Sequence, residues 1–217
     1  MATQEIWDQI DITEVIRLVK SNLMEDAAPG LGVFADYARE RDLEDQDDFD
    51  PRAAGLMSDF NAFLDEKVAD VVHEEICRLA FDVQGEDGVL TIYRTIVVPN
   101  DWSAHDLSLR PLGVCWSWDA QYAVPYSGGG DEEIDKEVRL TGAVGLDGVD
   151  WELTVALNAA NAYWGEDESE IRLRDDAEVS MRRVESRPYS TGTFGTMIEL
   201  NGEKYPAAEP LAPAITM

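Results

Sequence analysis

Apolar residues recur at helical spacing through the first third of the chain and at mostly alternating spacing through the rest. The change falls at Gly85-Glu86-Asp87-Gly88. Asp11-Ile12-Thr13-Glu14 has the form of a capping box, with Asp11 at the cap and Glu14 three residues on. Ile12, Val15, Ile16, Val19 and Leu23 then make one apolar stripe, and Pro29-Gly30 stops the helix. A second, shorter helix is predicted over 33–43, followed by an acidic loop over 44–50. Asp50-Pro51 suits a helix start. Leu56, Phe60, Phe63, Leu64, Val68, Val71, Val72 and Leu79 continue at helical spacing, so a long helix is expected to reach about Ala80, with room for a break.

Beyond the change the expected strands are 89–98, 113–118, 137–144, 169–173 and 179–184, with a turn at Asp175-Asp176. One or two helical turns are expected over 119–126. The stretch 149–163 fits helix or strand, and the reading preferred is a strand entry followed by irregular chain. Residues 193–200 and Lys204-Tyr205 are expected to form a hairpin over Asn201-Gly202. Helices first and strands after indicate α+β, with a helical region over 1–85 and a strand-rich domain over 86–217.

Charge alters this picture most. Of 217 residues, 45 are acidic and 17 basic, for a net charge of -28. Such a surface repels phosphate, which argues against direct nucleic-acid binding and against docking on anionic membranes. Three uses of the acidity stay open: hydration or salt adaptation, attraction to a basic partner, and mimicry of DNA in a basic cleft. No apolar run is long enough to span a membrane, and the first residues lack a secretory pattern, so a cytoplasmic protein is expected. Cys77 and Cys115 form no metal-type or disulfide framework.

Several motifs fail. His73-Glu74-Glu75 begins like a zincin helix, but Cys77 stands where the second His belongs, and the chain has only 2 His. No metal site is expected. The acidic loop has Phe49 and Asp50 where a calcium loop needs a ligand and a glycine. Ser127-Gly128-Gly129-Gly130 lacks the lysine of a phosphate-binding loop.

Three polar positions remain. Arg94 lies within Leu90-Thr91-Ile92-Tyr93-Arg94-Thr95-Ile96, on the face of Ile92 and Ile96, where a cation needs an anionic partner or ligand. Ser117 ends a strand between two tryptophans. Glu168 and Glu170 flank Ser169, and in a strand two such carboxylates face the same way. Singly, each also fits a structural role: an internal ion pair, a small residue among aromatics, or a solvated edge.

In this order Arg94, Ser117 and Glu168-Ser169-Glu170-Ile171-Arg172-Leu173 resemble the Arg-Ser-Glu type of ADP-ribosyltransferase, over roughly 89–186. The resemblance implies a split antiparallel β-sheet domain and cleavage of NAD, with ADP-ribose passed to a protein side chain, arginine among the candidates. It implies that Glu170 stabilises an oxocarbenium-like ribose, as carboxylates do in glycoside hydrolysis. It further implies that Glu168 orients the acceptor, that Ser117 holds Glu170, and that Arg94 grips the cofactor's phosphates. Aromaticity makes Trp118 and Tyr126 candidates to stack on nicotinamide. NAD and a basic protein target are then the expected partners of a phage or bacterial enzyme. Two other readings stay open. One is an inactive acidic binding module, favoured by Ser117-Trp118-Asp119 where the family usually has Ser-Thr-Ser. The other is a viral assembly protein that carries the domain.

Overall fold

The computed structural model describes residues 4–25, 56–83, 85–109, 111–125, 135–163, 169–189 and 193–208. The expected helix over 33–43, the acidic loop and the Asp50-Pro51 helix start lie outside them. The chain divides into two compact units. One comprises 3–82 and 155–167; the other holds 83–154 and the chain from 168 onward.

The helical unit contains α1 (Gln4–Trp7), α2 (Ile12–Glu25) and α3 (Leu56–Asp82). Asp11 caps α2 through its Oδ1, which accepts the amides of Thr13 at 3.0 Å and Glu14 at 3.3 Å. Only this half of the expected box forms. The Glu14 carboxylate takes the Arg17 guanidinium at 2.7 Å rather than turning back to Asp11. Val15, Val19 and Leu23, spaced by four, are buried, and α2 packs on α3. In α3, Phe60, Leu64, Val68 and Val72 continue the same spacing and are fully buried. The helix runs to Asp82 without the break the sequence allowed. Glu75 is buried in its path, and the Arg78 Nε donates to its carboxylate at 3.0 Å.

The second unit is built on one open antiparallel sheet. Its path is β5 (Glu170–Arg172), β3 (Cys115–Ser117), β2 (Val89–Pro99), β4 (Asp135–Gly145), β6 (Glu178–Pro188) and β7 (Thr196–Glu199). Two short strands complete the eight: β1 (Gly85–Glu86) on β2, and β8 (Lys204–Pro206) on β6. The resemblance implied a split pair of sheets; these strands form a single one. Asp87 and Gly88, with φ of 52° and 76°, make the tight turn from β1 to β2.

β2 and β4 pair along eleven residues, from Val89 opposite Gly145 to Pro99 opposite Asp135. Alternation splits the sheet into unlike faces. Leu90, Ile92, Val98, Val138, Leu140, Val144 and Val184 fill the apolar face. Thr95, Glu137 and Thr141 lie buried on the other.

Three expectations are corrected. Residues 151–163 form a helix, α4 (Trp151–Tyr163), capped where Asp150 Oδ1 accepts the Leu153 amide at 3.0 Å. The expected hairpin over Asn201-Gly202 does not form, because β7 and β8 both pair with β6. Residues 200–203 instead bulge opposite Met181 and Arg182, and Gly202, at φ 75°, donates its amide to Met181 O at 3.1 Å. The expected helical turns after Ser117 are hydrogen-bonded turns only, with the Tyr122 amide on Asp119 O at 3.2 Å.

The cap geometry makes a prediction. Asp11→Ala should lower stability by about 1 kcal/mol, whereas Glu14→Gln should leave it unchanged, because the Arg17 pair is exposed. Urea unfolding of the two variants checks this; equal losses would contradict it.

Candidate functional site

Arg94, Ser117 and Glu170 fall on three neighbouring strands. Ser117 stands opposite Tyr93 of β2 on one side and opposite Glu170 of β5 on the other. Directly opposed residues face the same way, so Glu170, Ser117 and Tyr93 form one cross-strand row. Thr141 and Arg183 continue it across β4 and β6. Ser117 and Glu170 are both buried, with 4% and 6% of their surfaces exposed.

The serine does not hold the glutamate as the sequence suggested. Its hydroxyl donates to Asp119 O at 2.8 Å and accepts the Asp119 amide at 3.0 Å, closing a local turn. Cys115, two residues from Ser117 on the same face, hydrogen-bonds the Glu170 side chain. Arg172 NH1 donates to the Cys115 Sγ at 3.3 Å. Burial pushes the Cys115 thiol above its ordinary value, and the Glu170 charge pushes it further. The thiol is therefore held protonated, unlike a nucleophilic cysteine. The Arg172 amide donates to Thr154 Oγ1 at 3.1 Å, fixing β5 to the first turn of α4.

β5 begins at Glu170 because Ser169 has a left-handed φ of 50°. Glu168 itself lies outside the described residues, as does Tyr126. Trp118 is half-buried beside the site, with its amide on Ser169 O at 3.3 Å.

Arg94 follows Tyr93 and so points to the opposite, apolar face. Its NH1 donates to Cys115 O at 2.8 Å. Gly113 makes that contact possible: a Cβ there would sit 2.2 Å from NH1, and its φ is +85°. On this face a cavity of about 620 Å³ opens between β2 and the β2–β3 connection. Arg94, Ile96, Val98 and Leu140 form its floor, and Trp102 and Leu112 stand among its walls. Lys136 clamps the Trp102 loop to β4, its Nζ donating to Asn100 O at 2.9 Å and to Trp102 O at 2.6 Å.

Sequence reading missed the rest of the polar face. The guanidinium groups of Arg139 and Arg187 lie over the Phe194 ring, 4.0 and 4.5 Å from its centroid. Arg187 pairs with buried Glu137, and Arg183 with Glu199 at 3.3 Å. Arg183, Glu185 and Arg187 alternate along β6, a signal of a polar strand face that was open to reading. Cations and carboxylates alternate across these strands, so this part is a lattice of ion pairs rather than a basic patch. The hydroxyls of Thr95 and Thr141 are buried there without hydrogen-bond partners.

Among the described residues no group of three metal-ligating side chains converges, and no helix is long and apolar enough to cross a membrane. No family model, curated protein or solved structure matches the chain.

Two expected outcomes follow from this geometry. In a Cys77→Ser background, Cys115 should alkylate slowly at neutral pH, and Glu170→Gln should speed it, since removing the carboxylate charge lowers the thiol's pKa. Iodoacetamide rates read by mass spectrometry check this; a slower variant would contradict it. Gly113→Ala should cost about 1–3 kcal/mol, because it strains the backbone and displaces the Arg94 guanidinium. A Gly113→Ala protein as stable as the parent would contradict the packing described.

Proposed function

We propose that the row Glu170–Ser117–Tyr93 is the centre of an ADP-ribosyltransferase-like site that cleaves NAD and passes ADP-ribose to a side chain of a protein target. The observation that carries the reading is that three motif residues far apart in sequence come to adjacent strands, with Ser117 directly opposite Glu170 on one face. In this reading Glu170 stabilises the positive charge that builds on the ribose as the bond to nicotinamide breaks. A buried carboxylate suits that task, because the surrounding low dielectric strengthens its field. Ser117 shapes the turn that carries Trp118 alongside, and Trp118 is the candidate to stack on nicotinamide.

Arg94 takes a different part from the one its motif implies. Lying on the far face with NH1 on Cys115 O, it holds the Ser117 strand in place rather than gripping phosphates. The net charge of -28 favours a basic protein target, which it would draw in by long-range attraction.

A second reading is favoured by one observation. The Ser117 hydroxyl is occupied by Asp119, so an inactive relative that binds a basic partner through its acidic surface accounts for the same chain.

Nicotinamide release from NAD decides between them. The first reading expects release by the parent protein, unchanged in Cys77→Ser, and reduced at least about 100-fold in Glu170→Gln, in the range for loss of one electrostatic group. Release that persists in Glu170→Gln would contradict the assignment of Glu170. No release by the folded parent with lysate protein supplied, together with salt-sensitive capture of a basic protein, would favour the second.

A further inference from the structure

We infer that the cavity beside Trp102 is a small-molecule site of its own, and that it takes a primary amine with an apolar body. Its volume of about 620 Å³ lies in the range of ligand pockets. All of its described lining falls within one compact unit. The interior is mostly apolar: Ile96, Val98 and Leu140 from the sheet, Leu107 and Leu112 from the β2–β3 connection. Methylene or aromatic groups leave water for such a lining.

The charged lining decides what the ligand carries. It consists of Arg94, Asp101 and Asp106. The guanidinium is committed to the fold, with NH1 on Cys115 O at 2.8 Å. The carboxylates are not committed in this way. Among the described residues neither Asp101 nor Asp106 has an ion-pair partner. Asp101 is exposed. Asp106 Oδ2 accepts the Ser103 amide at 2.7 Å and the Ser103 hydroxyl at 3.3 Å, and its Oδ1 accepts nothing from the described residues. An ammonium brings three donors and a positive charge to that oxygen. A carboxylate ligand meets no free cation there, and a ligand with no donor leaves the Asp106 oxygen unsatisfied.

Both carboxylates are held on one turn. The Trp102 amide donates to Pro99 O at 3.0 Å, and the Asp106 amide to Ser103 O at 2.9 Å. Lys136, the other cation beside this turn, spends its Nζ on Asn100 O at 2.9 Å and Trp102 O at 2.6 Å, and it is not part of the lining. Such preorganisation lowers the ordering cost of binding. At longer range the net charge of -28 draws cations in and repels anions. The site is independent of the proposed transferase chemistry, since it shares no lining residue with the Glu170 row.

Four probes test the inference on the full chain: octylammonium, butylammonium, 1-octanol and octanoate, followed by calorimetry and by the Trp102 indole proton in NMR. The expected result is one saturable site for octylammonium, with the Trp102 signal shifted. It should bind on the order of tenfold tighter than 1-octanol, for want of the charge, and at least about tenfold tighter than butylammonium, for want of four methylenes. Octanoate should bind weakest. The double substitution Asp101→Asn and Asp106→Asn should bring octylammonium to the level of 1-octanol and leave 1-octanol unchanged, since an asparagine oxygen can still accept the Ser103 amide. Ile96→Trp should fill the floor and remove binding of octylammonium and 1-octanol alike; if it fails to fold, the aspartate comparison decides alone. Butylammonium as tight as octylammonium would show attraction to the acidic surface alone and overturn the inference. So would 1-octanol or octanoate as tight as octylammonium, an unmoved Trp102 signal, no saturable binding, or unchanged octylammonium affinity in the double variant.

Discussion

The arrangement of the β5–β3 edge of the sheet turns on one contact, the Arg94 guanidinium against the backbone of 113–115. β3 has only three residues and meets β2 at a single residue pair. So short a strand gains little from its ladder hydrogen bonds. A charged donor on Cys115 O adds a bond of about 1.5–3 kcal/mol. Gly113 is the residue that lets the guanidinium come so close. Fixing β3 fixes Ser117, and through the pairing of 115–117 with 170–172 it fixes β5 and Glu170 as well.

The same contact separates two chemistries. On one face the row from Glu170 to Arg183 is polar and part buried, with ion pairs of Arg183–Glu199 and Arg187–Glu137 at its β6 end. On the other, Arg94 ends an apolar floor that carries the cavity. Consecutive residues of one strand, Tyr93 and Arg94, therefore face opposite sides of the sheet. A motif that reads as one constellation along the chain is divided by strand alternation in space.

Much of this was legible in the residues. The long helix, expected to about Ala80 and found to Asp82, and the strand 89–98 stood out by their apolar spacing and their Val, Ile, Tyr and Thr content. α4 was not legible: Thr154 and Asn158 are buried along with Val155, Ala156, Ala159 and Ala160, so burial covers more than half of the helix's circumference and the apolar residues alone do not mark the buried face. Its Asp150 cap was the signal to follow. Asn201-Gly202 carried a true turn signal and a false conclusion, because a continuous β6 offered both flanking segments a partner. The kink at Ser169 has no sequence signature at all, as positive φ at a serine is dictated by its surroundings. The face of Arg94 was read correctly from alternation, but that its guanidinium would hold a backbone carbonyl depends on the distant register of β3, which only the fold supplies.

The central claim is that Glu170, Ser117 and Tyr93 act together on one ligand. Amide NMR spectra recorded with a non-cleavable carba analogue of NAD test it most directly. The account predicts shifts centred on 93, 115–119 and 169–172, with the Trp102 indole unmoved. Shifts confined to the groove around Trp102, or none in the 115–119 segment at saturating analogue, would contradict it.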